Sequence, residues 1–367
     1  ITVGSGFSAN ISLIEALCRK NDTLFIDEEY HASGILATKL LKPEQVVVFN
    51  HNDALDLKNK LISNKRTGRN IIAIEGVYSM GGDLAPIELF HLTDEYKAIL
   101  IVDEAHHFPA ETYIAVYNKI LKYNPKIKLL GVTATPFRSD DLELKEYFED
   151  MIYNVNIKKL IQENYLVSTK AKIIRIPENL AIFNKIPIRK DKNGITDYSL
   201  KSLSNILGED KVLTYVLDNF VKEFQNRKTL FFTTSIEVSK EITKRLQERG
   251  VNAVHIDGTI PKKERTQIIE DYQNGKIKVL SNVNILTEGF DDPSTECIAL
   301  LRPTKSLNLY AQIIGRGLRP SPITNKENCL VLDFTPATTK FNKGLANLFE
   351  LFDLNADSNS KETLEQF

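Results

Sequence analysis

Short runs of β-branched and aromatic residues alternate along this chain with longer segments of helical period, and that alternation limits the fold more than any other feature. In the first third the order is TLFIDE, HASGILATKLL, VVVFNH, DALDLKNKLISNK, NIIAIEGVYS, APIELFHLTDEYK and AILIVDE. Such a βαβα rhythm predicts an α/β fold with parallel sheets and helices on both faces, because parallel neighbours need a crossover that packs back onto the sheet. Functional groups in these folds collect at the carboxyl ends of strands. Residues 102–109, VDEAHHFP, stand at such an end, with two carboxylates and two histidines directly after an apolar run.

The rhythm continues beyond them. Residues 110–123 predict a helix with Ile114, Tyr117, Ile120 and Leu121 on one face, and KLLGVTAT returns as a strand, so the sheet is expected to run on past the carboxylates. Residues 183–210 are polar, glycine-containing and weakly periodic, which reads as a connector; its basic stretch KIPIRKDK is a solvated linker or a local phosphate contact. A second rhythm then opens with TLFFTTS, a helix over 236–249 striped by Val238, Ile242 and Leu246, VNAVHID, a helix over 262–274, KVLSNV, CIALL, a helix near 306–316, and CLVLDFT. About five strands with their helices make one nucleotide-binding-sized domain. The segment 336–367, with NADSNSKE, reads as a polar, partly frayed tail.

Composition narrows the classes. With 42% hydrophobic residues in 367 there is apolar material for two or three cores. A net charge of −1 supplies no global basic field, so nucleic-acid binding has to use local patches. The three cysteines, Cys18, Cys297 and Cys329, form no C-x-x-C pair, which argues against a disulfide framework and a zinc ribbon and points to a reducing cytoplasm. No apolar run reaches membrane-spanning length, so no membrane partner is expected. The chain starts at Ile1 and not at Met, and is read as part of something longer.

Four stretches, DEAHH at 103–107, TATPFR at 133–138, SNVNILTEGFDDP at 281–293 and QIIGRGLRP at 312–320, resemble in order and spacing the motif set of superfamily 2 DEAD/DEAH-box helicases. The resemblance covers about 103–335. It implies the end of a first RecA-like domain at 103–182, the connector at 183–210, and a complete second RecA-like domain at 211–335. It also implies ATP and Mg²⁺ as cofactors and DNA or RNA as partner. Asp103 would hold Mg²⁺, Glu104 would orient the attacking water, and Arg316 and Arg319, three residues apart on a helix face, would supply positive charge, with Gln312 one turn back. His106, Gly289 and Asp291 would lie at the nucleotide. Thr133 and Thr135 would link nucleotide to nucleic acid, and Thr233, Thr234 and Thr287 would donate to backbone phosphates. Taken alone, His106 and His107 are a polar pair at a loop start, with no third ligand at metal spacing.

That machinery needs a G-x-x-x-x-G-K-[ST] loop ahead of DEAH to hold the β- and γ-phosphates, and residues 1–102 contain none. In its place GSGFSAN at 4–10, EEYHASGI at 28–35, FNHNDALDL at 49–57, EGVYSMGGDLAPI at 75–87 and VDEAH resemble the α-oxoamine synthases, pyridoxal-phosphate enzymes that include 8-amino-7-oxononanoate and 5-aminolevulinate synthases. The likeness runs from 1 to about 106. It implies that Gly6 and Phe7 approach the cofactor phosphate, that His31 stacks on the pyridine ring, and that Ser79 lies on the substrate side. Asp103 would pair with the pyridinium nitrogen and His106 would reach the phenolic oxygen. The family's Schiff-base lysine, about thirty residues beyond the aspartate, has no counterpart, because the sequence there is helicase-like; STKAK at 168–172 lacks its spacing and its glycine. VDEAH belongs to both resemblances, and the chain reads as a chimeric first α/β domain followed by a RecA-like second domain. Three readings stay open: a helicase-like protein impaired in ATP hydrolysis, a synthase fragment without covalent cofactor, and a degraded, non-enzymatic fusion.

Overall fold

The computed structural model describes residues 14–30, 32–74, 99–102, 105, 108–123, 125–133, 144–150, 157–177, 179, 186–190, 196–287, 290–336 and 363–364. The chain divides into two compact units, 1–137 with 142–155, and 138–141 with 156–367.

In the first unit β1 (Thr23–Asp27) lies between β2 (Val46–Phe49) and β3 (Asn70–Ala73), all parallel. Every residue of β1 is buried. Its side chains alternate in direction, as a strand's period of two requires: Phe25 joins Phe49 and Leu57 on one face, while Leu24 and Ile26 join Ile14, Cys18 and Ala37 on the other. Helix Ala54–Ser63 starts at Asp53, whose carboxylate accepts from the amides of Leu55 and Asp56 at 3.0 and 2.9 Å, meeting two of the donors a helix start leaves unpaired.

The strand before the carboxylates, β4 (Ile99–Val102), pairs in parallel with β5 (Lys128–Gly131) around Val102, Ala105 and Phe108. The strand expected beyond the carboxylates is therefore present, and among the described strands it forms with β4 a two-stranded sheet apart from that of β1 to β3. Among the described residues each small sheet packs against its own apolar cluster.

The second unit is built on seven strands: β6 (Ser168–Ile176), β9 (Thr229–Phe232), β10 (Ala253–Ile256), β11 (Val279–Asn282), β12 (Cys297–Leu300), β13 (Asn328–Pro336) and β14 (Thr363–Leu364). Their order is β10-β11-β9-β12-β13-β6-β14, parallel except for β14. Helices Leu200–Leu207, Asp210–Glu223 and Ile236–Glu248 bury Leu203, Leu207, Leu213, Val216, Phe220 and the Val238, Ile242, Leu246 stripe on one face. Helices Lys262–Gln273 and Leu307–Leu318 cover the other with Tyr272, Tyr310, Ile313, Ile314 and Leu318. Gly317 makes the second contact close, since a Cβ there would stand 2.3 Å from Cys329 Sγ and 2.9 Å from Ile298 Cγ1.

Two boundaries differ from the expectation. β6, assigned to the first helicase domain by the 103–182 boundary, pairs with β13 over nine residues, from Ser168–Asn328 to Ile176–Pro336, so the division falls near 155. The supposed connector 183–210 holds a hairpin of β7 (Ile188–Lys190) and β8 (Thr196–Tyr198) and the helix Leu200–Leu207, with Tyr198, Leu203 and Leu207 buried in the main core. Its polar residues hid this, because only three or four apolar positions in the segment carry the packing. Of the tail, residues 363–364 are described, and they form the antiparallel β14 against β6.

Candidate functional site

Two groups of candidate residues in the second unit sit at opposite edges of the parallel sheet. At the carboxyl edge, Thr233 and Thr234 follow β9, and Thr287 lies five residues past β11. At the amino edge, the end of helix Leu307–Leu318 brings Arg316 and Arg319 against residues 290–291. Arg316 donates from Nη1 to the Phe290 carbonyl at 2.7 Å, and Arg319 makes an ion pair with Asp291. A strand of four residues separates the edges by roughly 13 Å.

The segment 283–296 joins them. It must return from the end of β11 to the start of β12, with β9 lying between those strands in the sheet; its described residues, 283–287 and 290–296, form no helix or strand and are buried at Leu286 and Phe290. One crossover therefore carries Thr287 near one edge and Asp291 near the other.

Four cations fasten the amino-edge end. Besides Arg316 and Arg319, Lys228 pairs with Asp292 at 2.6 Å, donates to Ser294 Oγ at 2.6 Å and to the Gln273 carbonyl at 3.1 Å, and lies 4.4 Å over the Tyr272 ring. Lys326 donates to the carbonyls of Thr295 and Gly317 at 2.5 and 2.8 Å, and burial pulls its pKa down to about 8. The sequence reading missed both lysines; they sit in ordinary-looking turns, with Lys228 directly ahead of an apolar strand as the one available signal.

The arginine geometry departs from the expectation in one respect. The helix ends at Leu318, and Arg319 is its C-cap with extended backbone (φ −66°, ψ 135°), so the two arginines do not share a helical face. They meet at one segment because the chain turns at Arg319. Gln312 lies one turn before Arg316 on that helix. The threonines also differ among themselves. Thr233 donates to the carbonyls of Ser235 and Asn282 at 3.2 and 3.1 Å, the second across to the end of β11, and Thr287 donates to that of Asn284 at 2.6 Å within a local turn. Thr234 is buried, and its Oγ1 has no hydrogen-bond partner among the described residues.

Thr133 follows β5 in the first unit. Asp103, Glu104, His106, His107, Thr135 and Gly289 lie outside the described residues, as do Gly6, Phe7, His31 and Ser79. Among the described residues no group of His, Cys, Asp and Glu is placed to hold a metal ion, and no helix is long and apolar enough to cross a membrane.

Residues 211–321 match the helicase conserved C-terminal domain, and residues 1–132 match the aminotransferase class I and II family. The chain joins two families. Its helicase part is similar to a Saccharomyces cerevisiae protein provisionally named an ATP-dependent helicase, 30% identical over 66% of this chain and 34% of that protein. Its synthase-like part is similar to the 8-amino-7-oxononanoate synthase of Helicobacter pylori strain J99, 51% identical over 29% of each chain. The fusion thus spans about a third of these curated relatives. In fold it is similar to the ATP-dependent Type ISP restriction-modification enzyme LlaBIII bound to DNA, with a TM-score of 0.58 at 14% identity over 91% of this chain and 26% of that one. The α/β class and the RecA-like second unit agree with the sequence reading.

Proposed function

We propose that the fusion acts through its helicase part, as a nucleic-acid-binding RecA-like unit that responds to ATP and Mg²⁺ but turns ATP over poorly. The observation that carries this is the 283–296 crossover, which runs from the threonine edge to the arginine edge and is anchored in the core at Leu286 and Phe290. Two guanidinium groups converging on residues 290–291 are a donor set suited to the oxygens of a triphosphate. A bound nucleotide brings the phosphoanhydride and its cation. This chain's arginines would exchange the Phe290 carbonyl and Asp291 for phosphate oxygens, and the crossover would pass that change to Thr287 and Thr234. By the family resemblance Asp103 holds the metal, Glu104 orients water, and Gln312, His106, Gly289 and Asp291 line the nucleotide.

Poor turnover follows from residues 1–102, which carry synthase-like sequence where the resemblance calls for a glycine-rich loop and a lysine. The test is ATP hydrolysis by this chain with and without single-stranded DNA or RNA. Turnover at background is expected; nucleic-acid-stimulated turnover that Glu104→Gln abolishes overturns the proposal.

The 51% identity to the synthase favours a second reading, a pyridoxal-phosphate site formed by Gly6, Phe7, His31, Ser79, Asp103 and His106. The chain carries no lysine at the expected place, so no covalent attachment is expected. Mixing with pyridoxal phosphate, reducing with borohydride and finding one modified lysine would establish that reading instead.

A further inference from the structure

The carboxyl edge of the seven-stranded sheet holds a cation that none of the motifs above uses. Arg302, two residues past β12, is 5% exposed, yet among the described residues it makes no ion pair. Its Nη1 approaches the Val283 carbonyl at 3.5 Å, the outer limit for a hydrogen bond, and its Nε has no acceptor. Burial pulls its pKa down to about 10, opposed by the nearby Asp197. That carboxylate is committed elsewhere, accepting from Thr304 Oγ1 at 2.5 Å and from the amides of Lys305 and Tyr198 at 2.9 and 2.8 Å. A guanidinium kept from water without an acid in contact is destabilising, so a ligand that brings negative charge would relieve a real deficit.

The register locates the group. Phe232, Asn282 and Leu300 are hydrogen-bonded neighbours at the ends of β9, β11 and β12. Arg302 and Thr234 therefore occupy equivalent positions, two residues beyond adjacent strands. Val283 follows β11, on the far side of β9, so the Arg302 side chain crosses the end of β9, where Thr234 stands. Three buried polar atoms at these strand ends lack partners among the described residues: Arg302 Nε, Thr234 Oγ1 and Asn282 Oδ1. Native interiors leave few such atoms. The first two can donate to an anion. Asn282 Oδ1 is an acceptor, which an anion would leave to water, and its Nδ2 is already used by the Phe231 carbonyl at 3.2 Å.

We propose that Arg302, with the Thr234 hydroxyl, binds a backbone phosphate of a single nucleic-acid strand at the carboxyl edge of the helicase part. This rests on the strand-binding reading above and adds its charged contact. A phosphodiester fits better than a nucleoside triphosphate because the arginine pair suited to a triphosphate lies at the opposite edge, and one guanidinium with one hydroxyl matches a single charge.

The test uses the full chain and a fluorescein-labelled oligothymidylate, with anisotropy followed across a KCl series, for wild type, Arg302→Gln, Arg302→Lys and Thr234→Val. Arg302→Gln is expected to weaken binding about tenfold and to reduce the salt slope by about one, the signature of one lost phosphate contact. Arg302→Lys should keep the slope and lose part of the affinity, and Thr234→Val should lose less. Wild-type affinity and slope in Arg302→Gln, or displacement of the strand by ATP in the wild type alone, would overturn the proposal. Failure of the wild type to bind the strand would sink the strand-binding reading. Melting then decides Arg302 separately: inorganic phosphate should raise the melting temperature of the wild type over chloride of equal ionic strength, and should not raise that of the variant. If Arg302→Gln fails to fold, Thr234→Val decides: weaker strand binding at an unchanged salt slope supports the proposal, and wild-type affinity overturns it.

Discussion

Among the described residues the two units differ in how their cores are arranged. In the second, one seven-stranded sheet is sandwiched between two large apolar clusters, and nearly every central strand residue is fully buried. In the first, the described strands form two small sheets, each with a handful of buried side chains. Each unit is compact by itself, so the second unit, with its own large core, should melt as its own transition. The joint in the sequence falls in the first unit, and there β4, from the synthase-like sequence, pairs residue for residue with β5, from sequence beyond the carboxylates.

The largest blow to this contrast is Phe231→Ala. Phe231 is fully buried, its ring 5.1 Å from Phe220 and 6.2 Å from Phe334, and its loss should cost about 3–5 kcal/mol. Calorimetry should show the second unit's transition falling and the first unit's unmoved; a shift of both would mean the units fold together. Gly317→Ala comes next. Its Cβ would strike Cys329 and Ile298, an overpacking worth about 1–3 kcal/mol. Gly315→Ala, two residues away with nothing within 4 Å of its Cβ, should instead gain about 1 kcal/mol from helix propensity. Denaturant midpoints of the pair would check the sign difference.

Titration sharpens the comparison further. Asp333 is fully buried in β13, accepts from Tyr310 Oη at 2.9 Å, and burial raises its pKa to about 7. An unfolded aspartate releases its proton at roughly pH 4, so between those values the folded state holds the extra proton and stability of the second unit falls as pH rises. Asp333→Asn should flatten that decline, which urea midpoints across the window would show. The smallest effect belongs to the first unit. Asp22 is held to about 2, first by its hydrogen bond from Arg69, so its contribution is present above roughly pH 4 and lost as pH falls toward about 2. Arg69 is more than half exposed, so Arg69→Ala should cost the first unit only a little stability above roughly pH 4 and should shrink the acid-side drop of its transition by the same amount.

Period and burial explain which parts of this molecule were legible in its sequence. TLFID, VVVF and TLFF became strands, and the Val238, Ile242, Leu246 stripe went to the core, because these segments bury themselves by local pattern alone. Pairing over long separations was not legible: nothing in STKAKIIRI says that its partner lies 160 residues on. At the candidate site the G-R-G-L-R-P word singled out the two arginines, but the turn at Arg319 and the clamps Lys228 and Lys326 depend on neighbours far along the chain. Arg302 left one legible trace, a charge directly after the apolar run CIALL.

The placement of β6 governs where this protein can be cut. A fragment begun at residue 211, the start of the helicase-domain match, would strip β13 of its nine-residue neighbour and turn an interior strand bearing Cys329, Val331 and Leu332 into a bare, sticky margin that recruits other chains. The excision point that spares this margin lies ahead of residue 156, within the first helicase-like stretch, so the autonomous piece of the molecule is longer than the family it matches.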